Sequence, residues 1–221
     1  MIDLVVQDET IELKDFSDDS TLQDLVSGTE SIRLSEGLKT RHCYACGICC
    51  REPIPVLGYD LGRLTQRLGV SEEVLTQRYL ELPRAPDSSE RNRAIQSLQK
   101  EHDFSDLEAR LVYEFNSAEP VILKRQDNGS CFFLENNLCT IYEVRPFICR
   151  LYLCNMAEKL SILYETIATQ GTWFTYSRLG WISKEEIRHN PYLNASGYDR
   201  LRLRDFQFDL KSALEKIFFY F

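Results

Sequence analysis

Apolar residues recur along this chain at two periods, and the switch between them marks out its elements. Alternation in Ile2-Asp3-Leu4-Val5-Val6 predicts a short strand over 2–6, and a short helix is expected near 21–26. Between 59 and 80, Leu61, Leu64, Leu68, Val74, Leu75 and Tyr79 follow helical spacing, broken at Gly69-Val70-Ser71. Two helices are expected there, the second capped by Ser71 with Glu72 and Glu73 at its positive end. Residues 83–105 form the most polar stretch and hold few bulky apolar side chains, so they read as a linker or insertion that could contain a solvated helix. Ser105-x-x-Glu108 has the form of a capping box ahead of Leu111.

Further on, Pro120-Val121-Ile122-Leu123-Lys124 predicts a strand, Asp127-Asn128-Gly129 a turn, and Cys131-Phe132-Phe133-Leu134 the returning arm. A second tight turn is expected at Glu135-Asn136-Asn137. After Cys154 the pattern is helical to about Gly171, and Ser183-x-x-Glu186 marks another helix start. Residues 198–221 alternate charged and aromatic side chains and end Phe218-Phe219-Tyr220-Phe221, a segment suited to core packing or to a homodimer contact. Trp173, Phe174 and Trp181 are expected in the core. The fold class implied is mostly α with a small β-hairpin near 121–134 and an irregular Cys-rich metal-binding core. We divide the chain into an extension over 1–40, a Cys-rich domain over 41–154 and a helical region over 155–221 packed on it.

Charge narrows the function. There are 26 Lys and Arg against 34 Asp and Glu among 221 residues, a formal net charge of −8, and no long basic run, which argues against nucleic-acid binding. No apolar run approaches the roughly 18 residues of a membrane span, and the acidic amino terminus lacks the basic region of a targeting peptide. A reducing cytoplasm is therefore the expected compartment.

Eight cysteines change the picture, because they are grouped. Four fall within eight residues, Cys43, Cys46, Cys49 and Cys50, and four lie between Cys131 and Cys154. In a reducing compartment such grouping points to metal rather than disulfides. Thiols at i, i+3 and i+6 can turn toward one centre, as in iron–sulfur loops completed by a distant fourth ligand, and Gly47 eases the tight turn. One of Cys49 and Cys50 either faces a second centre or is not a ligand, since adjacent residues of an extended loop project differently. Closing the loop of about 80 residues between the groups costs about 4 kcal/mol plus a constant, against on the order of 10–16 kcal/mol for structural zinc bound by thiolates. A shared site is therefore affordable. Arg145 and Arg150, flanking Cys149, are candidate cofactor-binding residues: their guanidiniums would offset the negative charge of a thiolate-ligated cluster, or else pair with surface carboxylates.

The string Cys43-Tyr-Ala-Cys46-Gly-Ile-Cys49-Cys50, with Gly129-Ser-Cys131-Phe-Phe-Leu134, Leu138-Cys139-Thr-Ile-Tyr142 and Arg145-Pro146-Phe-Ile-Cys149-Arg150, resembles the CxxCxxCC (YkgJ-type) cysteine cluster family of zinc- or iron-chelating domains. The resemblance spans about 41–152 and implies seven metal ligands: Cys43, Cys46, Cys49, Cys50, Cys131, Cys139 and Cys149. Cys154 lies outside the pattern. A branch of the family resembles flagellin lysine N-methylases, but the chain has no Gly-x-Gly pair and lacks the Cys-x-x-x-Cys-x-x-Cys spacing of radical S-adenosylmethionine enzymes.

The leading expectation is a [4Fe-4S] cluster used for redox or electron transfer, or in support of a partner enzyme, because the first group is a triplet and zinc sites usually pair two Cys-x-x-Cys knuckles. The alternative is a structural or metal-handling zinc module with Zn2+ bound. A side-chain-modifying enzyme resembling the methylases comes third. His42 is read as a solvated loop residue, His102 and His189 as surface residues, and Asp127, Asn128 and Glu135 as turn residues.

Overall fold

Strands β1 (Ile2–Gln7) and β2 (Thr10–Phe16) pair antiparallel from Ile2↔Phe16 to Gln7↔Thr10, with a register shift between Asp3 and Leu4. This and the rest of the fold come from a computed structural model that describes residues 1–7, 10–35, 49–151 and 156–206, with the side chains of 33–35 and 49 outside that description. Helix α1 (Leu22–Ser35) runs well beyond the expected 21–26. Thr21 and Asp24 close its first turn reciprocally: the Thr21 amide donates to Asp24 Oδ2 at 2.9 Å, and the Asp24 amide to Thr21 Oγ1 at 3.2 Å.

Helices α2 (Gly58–Leu68) and α3 (Glu72–Tyr79) meet as predicted at Gly69, which takes φ 65°, and Ser71 Oγ accepts the Val74 amide at 3.2 Å. Short β3 (Leu80–Glu81) follows. The polar stretch contains a helix, and that helix has a buried face. Residues within it form α4 (Ser88–His102), capped by Asp87, which buries Arg91 and Ile95 and packs on α5 (Asp106–Ser117) around Phe104, Ala109 and Val112. Local composition hides this because the charge of Arg91 is satisfied by Glu114, 23 residues away. The Ser105–Glu108 capping box forms as expected.

Strand β4 (Ile122–Leu123) pairs with β3, and the expected hairpin follows it as a short one: an antiparallel Arg125↔Cys131 bridge, with the Gln126 amide bonded to the Ser130 carbonyl at 2.7 Å and the Phe132 amide to the Lys124 carbonyl at 2.8 Å. It ends there because the chain turns again at once, with the Leu134 amide bonded to the Cys131 carbonyl at 3.0 Å. β5 (Leu134–Glu135) and β6 (Leu138–Cys139) do form a hairpin, joined by Asn136 and Asn137 at φ 50° and 62°, the left-handed pair that Asn tolerates. Then come α6 (Phe147–Leu151) and the 21-residue α7 (Glu158–Arg178). Ser183 and Glu186 bond reciprocally but start only a 3-10 turn, Glu185–Ile187, because Pro191 lies close behind and Asn190 caps a separate turn.

Helix α7 is covered on nearly all sides, with every residue from Gln170 to Tyr176 buried. It divides two apolar clusters. One gathers Leu13, Leu25, Phe147, Leu160, Ile167 and Phe174; the other Leu61, Leu64, Leu75, Leu123, Trp173 and Tyr176. Helix α2 crosses α7 closely at two glycines: a Cβ on Gly58 would lie 2.3 Å from the Phe174 ring, and one on Gly171 2.8 Å from a Leu57 methyl. Trp181 is half-buried, and Phe206 is buried against Tyr192.

A polar knot ties the α4–α5 pair to α7. Glu114, fully buried, accepts from Arg91 at 2.9 Å, from Gln170 at 3.2 Å and bonds His189 Nε2 at 3.0 Å. The Arg91 guanidinium lies 5.3 Å from the Trp173 ring centre. His189 is therefore not a surface residue, contrary to the sequence expectation: its ring is only 11% exposed. Among the described residues no helix is long and apolar enough to cross a membrane.

Candidate metal centre

The segment leaving the first cysteine group runs beside the strand that leads to the second. The Val56 amide donates to the Val121 carbonyl at 2.8 Å, the Leu123 amide to the Ile54 carbonyl at 3.3 Å, and the Cys131 amide to the Cys50 carbonyl at 2.6 Å. Arg125 reaches back to the Arg51 carbonyl at 2.9 Å. Backbone pairing thus brings Cys50 next to Cys131 across the long intervening sequence.

Each remaining described thiol arrives on its own short element. Cys131 follows the Gln126–Ser130 turn, where Asn128 Oδ1 accepts the Ser130 amide at 2.9 Å and Gly129 takes φ 79°. The Gln126 side chain donates to the carbonyls of Cys131 and Leu134 at 3.1 and 2.8 Å, which holds the loop around that cysteine. Cys139 ends β6, and Cys149 sits in α6. All four thiols, Cys50, Cys131, Cys139 and Cys149, line one cavity of about 20 Å3, completed mainly by Ile54, Leu123, Ile141 and Arg145. All four are half-buried and free of disulfides. The side chains of Cys43, Cys46 and Cys49, as well as His42 and Cys154, lie outside the described residues.

One supporting residue was not recognised in the sequence. Asp60, fully buried, accepts the Leu57 amide at 3.1 Å through Oδ2 and the Phe147 amide at 3.1 Å through Oδ1. It closes the start of α2 and pins the first turn of α6, the helix that carries Cys149. The available signal was a single carboxylate inside the apolar run Ile54-Pro-Val-Leu-Gly-Tyr-Asp60-Leu. Burial outweighs those hydrogen bonds and pushes the Asp60 pKa up to about 6.

Charge around the cavity is sparse. Burial raises the Cys131 thiol pKa, with Phe133 hydrogen bonding and Arg125 acting the other way and Cys139 reinforcing it. A thiol so placed stays protonated until a cation arrives, so metal binding would release protons. Arg145 lines the cavity, pairs with Glu30 at 3.0 Å and lies 4.2 Å from the Tyr142 ring centre. Arg150 points elsewhere, its Nη1 donating to Gln23 Oε1 at 3.1 Å.

The donor set suits a thiophilic metal: among the described residues the lining holds four sulfurs, apolar side chains and Arg145, with no carboxylate or imidazole. Among the described residues no three His, Cys, Asp or Glu side chains converge tightly enough to hold an ion by themselves. The four thiols surround a space rather than a point. No curated protein and no solved structure matches the chain. One family model does, over residues 42–167, more than half the chain, and its description reads "Putative zinc- or iron-chelating domain". That stretch contains both cysteine groups, the Asp60 support and all nine residues that line the cavity, and the chain belongs to the CxxCxxCC family.

Proposed function

We propose that the chain carries a thiolate-bound [4Fe-4S] cluster at the Cys50, Cys131, Cys139 and Cys149 cavity, shared with Cys43, Cys46 and Cys49. It would serve electron transfer, or support a partner enzyme, in the cytoplasm. The observation that carries this reading is that thiols from both sequence groups line one small cavity. Bound there, a cluster supplies one-electron chemistry. The protein's own part is to exclude water with Ile54, Leu123 and Ile141 and to set the Arg145 guanidinium beside the thiolates, which favours the more reduced, more negative state.

A second reading, one Zn2+ held by the four described thiols as a structural element, is favoured by size, since about 20 Å3 admits roughly one water-sized sphere. Anaerobic purification with iron, zinc and acid-labile sulfide determination separates the two. Brown protein with matched iron and sulfide is expected; colourless protein with stoichiometric zinc overturns the cluster. A cluster should be lost in Cys46→Ser and Cys149→Ser and largely kept in Cys154→Ser, whereas zinc on the four cavity thiols should be lost in Cys149→Ser and kept in Cys46→Ser. Full metal retention in Cys149→Ser would refute a shared site.

A further inference from the structure

A larger cleft, of about 520 Å3, opens where α2, α6, the last turn of α7 and the 196–199 loop meet. Each of the three helices contributes a guanidinium to it: Arg63, Arg150 and Arg178. In a chain of net charge −8 this is a local reversal, and among the described residues the one carboxylate in the lining, Asp199, leans toward Arg200 at 3.6 Å.

The cleft's own partners leave capacity for an anion. Arg63 Nη1 is buried and makes no hydrogen bond; its nearest carboxylate oxygen, on Asp60, is 3.8 Å away. Arg178 uses one nitrogen on Glu72 at 3.1 Å, at a site where its side chain is 39% exposed. Gly62 adds room: nothing lies within 4 Å of where its Cβ would be.

We propose that this cleft binds a phosphate-bearing small molecule. Planar guanidinium forks match oxyanions with paired hydrogen bonds, and three of them on separate helices suit a dianion better than a single carboxylate. The volume falls in the range of small-ligand sites, and the net negative charge of the chain disfavours a long polyanion. Because Arg150 follows Cys149 directly, α6 borders both the thiol cavity and the cleft. The proposal holds whichever metal the thiols bind.

The test is calorimetric titration of the full chain with inorganic phosphate and glycerol 2-phosphate, with succinate as the carboxylate arm and metal content measured in parallel. Both phosphates should bind saturably at one site, more tightly than succinate. Affinity should fall at least tenfold in Arg63→Gln and in Arg178→Gln and stay unchanged in Arg188→Gln, an exposed arginine outside the cleft. Arg178 is exposed enough that its variant keeps the fold, which circular dichroism checks. Lost phosphate binding at unchanged metal content supports the cleft independently of the metal centre. Absence of saturable phosphate binding, succinate binding as tight as phosphate, equal weakening by Arg188→Gln, or binding that survives both cleft variants would each overturn the proposal.

Discussion

Asp60 makes the support of the metal-binding helix measurable. Its carboxyl is fully buried, between Arg63 at 3.8 Å and the rings of Tyr192 and Tyr198, with Arg150 also in its field. Its pKa rises from 3.8 to about 6, chiefly through burial. Between those values the native state holds a proton that the unfolded chain has released, so stability must fall as pH rises. The neutral form's contribution is complete below pH 3.8 and gone above about 6. A shift of about two units corresponds to about 3 kcal/mol. Urea denaturation of wild type and Asp60→Asn at pH 4 and pH 7 isolates it, because groups common to both proteins, thiols and metal included, cancel in the difference. The wild type should lose about 2.4 kcal/mol relative to the variant on going from pH 4 to pH 7, the rest of the shift falling below pH 4. A pH-independent difference, or one of opposite sign, would refute the reasoning and mean that the Leu57 and Phe147 amides hold an ordinary carboxylate.

Arg91→Met should destabilise the protein by roughly 3–5 kcal/mol in the same assay, because it strips the buried Glu114 carboxylate of its cation. A loss under about 1 kcal/mol would show that Gln170 and His189 suffice. Gly58→Ala should cost roughly 1–3 kcal/mol through the clash with Phe174, whereas Gly62→Ala, four residues along the same helix with open space around it, should be neutral or gain up to about 1 kcal/mol. Thermal melts that moved equally for both would contradict the close crossing of α2 and α7.

The sequence by itself determined what depends on near neighbours. The α2–α3 break needs only Gly69 and Ser71, the β5–β6 turn only Asn136 and Asn137, and the α5 start only Ser105 and Glu108, because each signal and its partner lie within four residues. The cysteine spacing likewise named the family. Tertiary structure decided whatever depends on a distant partner. The 83–105 stretch read as a linker or an insertion with a solvated helix because Glu114 is out of sight of Arg91, and His189 looked exposed for the same reason. Strand β4 chose β3 over its neighbour, and Asp60 acquired its role only when α6 began against it. Cys50 meets the second cysteine group through backbone bonds between 50–56 and 121–131, whose positions no spacing rule contains, since a long loop costs little to close and leaves its end point to packing.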